Sequence, residues 1–447
     1  MNRTEGPVES LGSIIGTRHA LIPQTARATV FDRWLLTPLQ RALDQVAVRL
    51  VLWDGTSVYR SRTTPIATVE ILDRSLLAGL LRNRELMFGE GYSSGRLHIH
   101  GDLVALLEAI YRSFPPRAAG WVSRLSTWRR NTLDRSRHDI HQHYDLGNDF
   151  YRLWLDDEML YTCAYFADPE MTLEDAQIAK MRHVCRKLSL RPGERVVEAG
   201  CGWGSLALFM ARNYGVSVTA YNISHEQIAY ARQRARAEGL SDRVRFVEDD
   251  YRTISDRFDA FVSVGMLEHV GLKQFPIMGG VINGALHPHH GRGLLHFISR
   301  DFVHPLNPWI RKRIFPGAYP PTLTQVTSLV LEPSRFSVLD VENLRLHYAK
   351  TLQHWLARFE ASLPQVRSTF GESFTRAWRL YLAGSQASFT TGWMQLLQVV
   401  FARHASADVP WVRAHGRTPS ASRPQHTRGL PAEHPNSAAS YGSMRSA

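Results

Sequence analysis

Along this chain the apolar positions change their period several times, and each change marks an element. Between Thr29 and Gln45, residues Phe31, Trp34, Leu35, Leu39 and Leu43 recur at near-helical spacing, and Pro38 is expected to kink that helix or split it. Residues 48–59 and 67–72 read as strands, with turns at Asp54-Gly55 and around Pro65. A short helix is predicted over 76–82. Met87-Phe-Gly-Glu-Gly-Tyr-Ser-Ser-Gly95 reads as a glycine-punctuated loop, and 102–113 as a helix. Residues 29–113 are therefore expected to form a small α+β domain, preceded by a poorly ordered stretch, 1–28.

The second half is more regular. Thr172 opens a helix with Glu174 and Asp175 in its first turn, and Lys180, Arg182, Arg186 and Lys187 follow, as the helix dipole favours. Pro192-Gly193 then turns the chain. Strand 196–199, helix 204–213, strand 216–221, helix 225–238, strands 244–247 and 258–264, helix 275–286 and strand 293–298 succeed one another. Strands separated by helical segments predict a mostly parallel sheet covered on both faces, a Rossmann-like α/β fold. Helices over 344–359 and 374–382 and a buried strand over 393–401 complete a domain spanning 140–404. Residues 405–447 hold five prolines and little apolar pattern, which predicts a disordered tail.

Composition narrows the setting. No apolar run reaches the roughly 18 residues of a membrane span, and Met1 to Ala20 contain no continuous apolar core for a signal peptide. Cys163, Cys185 and Cys201 have no disulfide or metal-ligand spacing, so a reduced, cytoplasmic setting is expected. A formal net charge of +12 calls for an anionic partner, either nucleic acid or an anionic membrane surface. Charge concentrates around a basic linker, 114–139. Over residues 112–138, Arg112, Arg117, Arg124, Arg129, Arg130, Arg135 and Arg137 stand against one acid, Asp134, and are interleaved with Trp121, Leu125 and Trp128. That mixture suits lipid headgroups, phosphate backbones or a plain solvated linker.

The candidate chemistry centres on Arg195-Val-Val-Glu-Ala-Gly-Cys-Gly-Trp-Gly204. A strand running through Gly200, Gly202 and Gly204 into a helix presents free N–H groups and a positive helix end to a ligand. The second strand ends at Tyr221-Asn222 without the acid that a dinucleotide site wants, and no phosphate-binding G-x-x-x-x-G-K-[ST] motif occurs. Glu198 precedes the glycines, and Asp249 and Asp250 close the third strand. Acids there suit the ammonium, sulfonium and adenine amine of S-adenosylmethionine better than a pyrophosphate. Ser224 and Gln227 read as a capping box at the next helix. His287, His289 and His290 read as turn residues, with no metal site expected.

His143-Tyr-Asp-Leu-Gly-Asn-Asp149, Tyr161-Thr-Cys-Ala-Tyr165, Glu198-Ala-Gly-Cys-Gly-Trp-Gly204, Ser263-Val-Gly-Met-Leu-Glu-His-Val-Gly271, Leu295-His-Phe-Ile298, Ile314-Phe-Pro-Gly317 and His347-Tyr-Ala-Lys-Thr-Leu352 occur in that order. In this the chain resembles the cyclopropane-fatty-acyl-phospholipid synthase and mycolic acid cyclopropane synthase family over roughly 80–400. Met87-Phe-Gly-Glu-Gly-Tyr92 resembles the N-terminal extension of its phospholipid-acting members. The resemblance implies a class I methyltransferase fold and methyl transfer from S-adenosylmethionine to a cis double bond of an acyl chain, followed in most members by ring closure. It places bicarbonate ligands on Cys163, Glu268, His296 and Tyr348, with a backbone contact near Ile298. It places cofactor contacts on Tyr161, Thr162, Gly200, Gly202, Asn222, Gln227 and Asp250. Four positions at three places depart from the pattern: His296-Phe-Ile-Ser299 replaces His-Thr-Ile-Gly, Thr162 replaces Ser, and Glu198 replaces Asp.

The residue types fit such a reaction. An isolated alkene is a poor nucleophile, so the methyl donor must be held close and in line, and the cation formed needs dry aromatic surroundings. His296 and Tyr348 can donate to a small oxyanion acting as base. Glu268 beside that anion is expected to have a raised pKa from like-charge repulsion. Cys163 is expected to be a soft contact and not a nucleophile; Cys185 and Cys201 are expected to pack. The implied substrate is a phospholipid with cis-unsaturated acyl chains at an anionic membrane surface, on the inner face of the cell membrane. A homodimer is allowed and no nucleic acid is expected. Methyl or methylene branching without ring closure is the near alternative; a nucleic-acid-binding protein or methyltransferase is the remote one.

Overall fold

The structure, a computed structural model, describes residues 27–61, 63–114, 146–406 and 409–410. Thr29 opens helix α1 (Val30–Ala42) through a reciprocal capping box with Asp32, and the helix continues through Pro38 as one element. Strands β1 (Val48–Leu52), β2 (Ser57–Val58) and β3 (Ala67–Ile71), helices α2 (Arg74–Arg82) and α3 (Arg84–Ser93), strand β4 (Leu97–Gly101) and helix α4 (Leu103–Ser113) follow. The strands form one sheet in the order β2-β1-β3-β4, with β1 and β3 parallel and the other pairs antiparallel. Alternation buries Val48, Leu50 and Leu52, and Ala67, Val69 and Ile71, on one face.

The stretch expected as a loop over 87–95 is mostly helix α3. Gly89 and Gly91 serve close packing, and only Gly95, at φ 74°, serves a turn. A Cβ at Gly89 would lie 2.2 Å from the Trp309 indole, and one at Gly91 would lie 2.7 Å from Leu76. Glu90 accepts from Arg313 at 2.8 and 2.9 Å, and the Tyr92 hydroxyl accepts from Arg379 at 2.9 Å. The motif that marks the N-terminal extension is thus a joint between the small sheet's helices and the rest of the chain.

From 146 onward the elements are α5 (Asn148–Arg152), α6 (Leu173–Lys187), β5 (Arg195–Ala199), α7 (Ser205–Tyr214), β6 (Ser217–Asn222), α8 (His225–Ala237), β7 (Val244–Glu248), β8 (Ala260–Val264), α9 (Leu267–Val270), α10 (Phe275–Ala285), β9 (Arg292–Ser299), α11 (Pro308–Arg313), α12 (Leu323–Val326), β10 (Phe336–Asn343), α13 (Arg345–Ala361), α14 (Leu363–Thr391) and β11 (Gln395–Arg403). They build a seven-stranded sheet in the order β10-β11-β9-β8-β5-β6-β7. β9, β8, β5, β6 and β7 are parallel, while β11 runs antiparallel between β9 and β10. This is the Rossmann-like class I methyltransferase fold. The helix expected over 374–382 is the middle of α14, which bends at Gly371, where φ is 80°. β10 was not expected. Among the described residues no helix is long and apolar enough to cross a membrane. Most of the basic linker, His143 and most of the C-terminal stretch lie outside the described residues.

Candidate functional site

The glycine turn sits at the carboxyl ends of β5 and β6. The N–H groups of Gly200 and Cys201 both donate to the Tyr221 carbonyl, at 2.9 and 3.1 Å, which ties the turn to the neighbouring strand. Gly200, Gly202 and Gly204 all have positive φ, at 86°, 52° and 86°. Their surroundings differ. A Cβ at Gly200 would lie 2.9 Å from Met266, and one at Gly204 would lie 2.6 Å from Phe246 and 2.8 Å from Ala231. At Gly202 a Cβ would meet nothing within 4 Å. The outer glycines serve protein packing, whereas Gly202 leaves its backbone open to an approaching ligand.

Asn222 closes the rim of this turn. Its amide donates to the Gly202 carbonyl at 3.2 Å and to Gln227 Oε1 at 2.7 Å, and its Oδ1 accepts from Ile223 N–H at 2.8 Å. Gln227 is fixed by Ser224, the cap of α8. Asp250, at the end of β7, takes a bidentate pair from Arg252 at 2.7 and 2.8 Å. Its lone pairs are thereby shared with a guanidinium, so it is not the free acceptor that the sequence suggests. The three strand ends stand side by side, with Ala199 paired to Tyr221 and Asn222 to Glu248.

Glu198, just before the glycine turn, has a buried Oε2 without a hydrogen-bond partner. It is buried, and desolvation raises its carboxyl to about 8, partly offset by the charge of Lys180. Lys180 is itself buried and lowered to about 8 by desolvation, with Asp156, Cys163 and Glu198 opposing that shift. Its ammonium donates to Thr162 Oγ1 at 2.8 Å. One turn earlier on α6, Gln177 donates to the carbonyls of Leu160 and Thr162 at 3.1 and 3.0 Å. Two polar residues on the inner face of one helix therefore hold the segment carrying Tyr161, Thr162 and Cys163.

The second constellation converges from four elements. The Thr162 methyl lies 3.0 Å from the Cβ position of Gly265, and Gly265 N–H donates to the His296 carbonyl at 2.8 Å. Glu268, on α9, accepts from the N–H of Ile298, two residues past His296 on β9. Cys163 lies 4.0 Å from the Leu344 carbonyl, the same carbonyl that accepts the Tyr348 N–H at 3.1 Å. Ala164 N–H donates to Thr351 on that same helix, α13, at 3.0 Å. The structure thus brings Cys163, Glu268, His296 and Tyr348 to one region.

The protonation states follow from burial. Glu268 is pushed up to about 7 by desolvation, with no second anion needed, and its Oε2 is buried without a hydrogen-bond partner. His296 is driven down to about 3, chiefly by burial, so its ring is neutral. The Gln398 amide nitrogen faces His296 Nδ1 at 3.0 Å; with the amide donating, the ring proton sits on Nε2, which is buried and unpartnered. Burial raises the Cys163 thiol well above its ordinary value, so it stays protonated and is no nucleophile. His296 Nε2–H is a donor, and Glu268 Oε2 either donates when protonated or accepts from a hydroxyl, so a small oxyanion that carries a hydroxyl would satisfy both.

Around this region lies an aromatic cluster. Tyr161 packs on Trp154 at 5.1 Å and Trp355 at 5.3 Å, Tyr151 on Trp203 at 5.0 Å, and Tyr348 on Phe389 at 4.6 Å. The Tyr161 and Tyr381 hydroxyls are 2.6 Å apart. Gln177, Lys180, Thr351 and Gln398 escape sequence reasoning. The available signal is weak: Gln177 and Lys180 interrupt the apolar stripe of α6 three residues apart. Elsewhere, His290 pairs with Asp259 at 2.8 Å and stacks on His287.

Comparison with known proteins supports the same assignment. The family described as mycolic acid cyclopropane synthetase matches residues 131–399, and a domain of unknown function matches 36–115. A probable fatty acid methyltransferase from Pseudomonas putida is 36% identical over 401 residues, covering 85% of this chain and 99% of that protein. The cyclopropane-fatty-acyl-phospholipid synthase of Escherichia coli strain K12 is 43% identical over 263 residues, covering 59% of this chain and 67% of its own length. A solved cyclopropane synthase from Mycobacterium tuberculosis superposes with a TM-score of 0.57 at 30% identity, over 60% of this chain and 98% of that one. A coclaurine N-methyltransferase with a TM-score of 0.57 at 19% identity, over 73% of this chain and 100% of its own, shares the fold.

Proposed function

The chain belongs to the mycolic acid cyclopropane synthetase family, and from that premise we propose that it converts a cis double bond of a phospholipid acyl chain into a cyclopropane ring. It is an S-adenosylmethionine-dependent methyltransferase of the fatty-acyl kind. When bound, the cofactor supplies an electrophilic methyl group. Gly202 leaves room for it, the Asn222–Gln227 pair offers the ribose rim, Asp250 closes the far strand, and Tyr161 and Thr162 cover it from the side that Gln177 and Lys180 hold. The observation that carries the reading is the pair of buried, unpartnered atoms, Glu268 Oε2 and His296 Nε2, in the region of Cys163 and Tyr348. These residues suit bicarbonate, which would supply the base for the proton lost on ring closure. A neutral His296 donates through Nε2. Glu268, held near its midpoint at neutral pH, tolerates an anion beside it. The aromatic faces of Tyr161, Trp355 and Tyr348 favour a cationic carbon and exclude water from it.

Branching without ring closure is a second reading, favoured by the Pseudomonas relative's name and by the departures at Phe297, Ser299 and Thr162. Two observations weaken the departures at Phe297 and Thr162. Phe297 is buried in the core with Val197, Phe261 and Leu295, on the sheet face opposite His296. Thr162 still offers the hydroxyl that Lys180 engages.

For the membrane partner, Arg311-Lys-Arg313 is a poorer anchor than its charge suggests, because Arg313 and Lys312 both pair with Glu90. Val30, Phe31 and Trp34 project from α1 at 84%, 60% and 63% exposure, beside exposed Arg33 and Arg41. We assign them to the anionic bilayer surface, with the basic segment around Arg124, Trp128, Arg129 and Arg130. The function is tested with vesicles of cis-unsaturated phospholipid and methyl-labelled cofactor. Label in the acyl chains is expected; label only in RNA or in small amines would overturn the proposal.

A further inference from the structure

We propose that Glu70, His98 and His100 form a binding site for one divalent first-row transition-metal ion of the zinc class, on the solvent-facing side of the N-terminal sheet. Leu97-His-Ile-His-Gly101 alternates along β4, so Leu97 turns into the core and both imidazoles turn outward. In the antiparallel register of β3 and β4, Glu70 stands directly opposite His98, and His100 lies diagonally across, opposite Thr68. The register runs unbroken over five residue pairs, so the three side chains start from a fixed backbone. Glu70 Oε2 lies 3.7 Å from His98 Nδ1 and 3.1 Å from His100 Nε2, and all three ligand atoms fall within 4.8 Å of one another.

Those spacings match the chemistry. With metal–ligand bonds of ~2.0–2.1 Å, tetrahedral donors stand ~3.3 Å apart, and the two Glu70 separations bracket that value. Two imidazoles with one carboxylate favour zinc, copper, nickel or cobalt over magnesium or calcium, which prefer all-oxygen sites. Side-chain exposures of 40%, 62% and 32% for His98, His100 and Glu70 leave the remaining positions to water and allow the ion to exchange. The ion would bridge β4, an edge strand, to β3, just ahead of Asp102, the cap of α4. It would stiffen the strand from which α4 departs. It lies outside the methyl-transfer region and takes no part in that reaction.

The test uses the full chain without an affinity tag, stripped with chelator, and titrated with zinc chloride by calorimetry and with cobalt chloride by absorption spectroscopy. One ion per chain is expected, with a cobalt ligand-field spectrum and a rise in melting temperature that chelator reverses. His98→Ala and His100→Ala should each weaken binding at least ~10-fold, since each removes one of three protein ligands. Glu70→Gln should weaken it while preserving side-chain shape. His287→Ala, in the other histidine turn, should leave it unchanged. Circular dichroism of each variant reports folding separately. Folded His98→Ala and His100→Ala proteins that bind zinc like the parent would overturn the site, as would a parent chain that binds neither metal at micromolar concentration.

Discussion

Replacing Glu268 by Gln keeps the side chain's shape and an acceptor for the Ile298 N–H, and removes its ability to ionise. Burial holds the folded carboxyl at about 7 against an ordinary value of 4.5. Between those values the native state keeps a proton that the unfolded chain has released, so stability falls as pH rises through that window. At 1.36 kcal/mol per unit, the shift amounts to about 3 kcal/mol, fully lost above the folded value. Gln escapes that loss, although its buried NH₂ lacks a partner and costs about 1–3 kcal/mol at every pH. The pH dependence of the difference, not its absolute size, is therefore diagnostic. Urea unfolding below and above the window should show the variant gaining about 3 kcal/mol on the wild type across it. In parallel, calorimetry should find cofactor affinity within about threefold of the parent, while turnover of labelled methyl falls by ~10²–10⁴. Turnover that survives would remove Glu268 from the chemistry. A stability difference that does not change with pH would refute the buried, proton-sharing carboxyl.

Further outcomes follow from single contacts. Gly202→Ala should fold and lose S-adenosylmethionine affinity by calorimetry, whereas Gly204→Ala, forced against Phe246 and Ala231, should lose about 1–3 kcal/mol of stability; equal thermal melts for the two would defeat that distinction. Phe31→Ser with Trp34→Ser should reduce sedimentation with anionic vesicles at least ~10-fold without changing cofactor binding, because each ring forfeits about 1.5–3 kcal/mol of apolar burial; unchanged sedimentation would exclude α1 as the lipid contact. Glu90→Ala should remove the bidentate pair that ties α3 to Arg313, whose side chain is 10% exposed. We expect a loss of about 1.5–3 kcal/mol, the range for hydrogen bonds to a charged group, and faster proteolysis near the joint. Parent-like proteolysis would show that the pair does not hold the two sheets' helices together.

How much of this was legible in the sequence depended on how local the cause was. The unit from Arg195 to Tyr214 could be read because its glycines, strand and helix are adjacent and each obeys a local rule. The same rule misled at Gly89 and Gly91, where the reason for glycine is Trp309 and Leu76, brought in by the fold. β10 escaped because Ser337, Asp340 and Glu342 interrupt its apolar side, and its burial depends on pairing with β11. Cys163, Glu268, His296 and Tyr348 lie on separate elements, and only resemblance to a family grouped them. Gln177 and Lys180 look like ordinary polar helix positions until the chain folds over them. Sequence reasoning also missed one cause of the Glu268 shift: burial by the fold raises the carboxyl before any anion lies beside it.

The central claim is ring closure on a phospholipid acyl chain, and the fate of the transferred methyl tests it most directly. Vesicles of cis-unsaturated phospholipid are incubated with the full chain and with cofactor carrying a trideuterated methyl. The released acyl chains are then analysed by mass spectrometry with fragmentation and by proton resonance. Ring closure predicts two retained deuterons, because the third leaves with the base, and ring methine signals at the former double bond. An exocyclic methylene also keeps two deuterons, but it shows a branched fragmentation pattern and no ring methines. A chain carrying all three deuterons as a methyl branch, or that exocyclic methylene, would contradict the cyclopropane assignment and leave this protein as a branching methyltransferase.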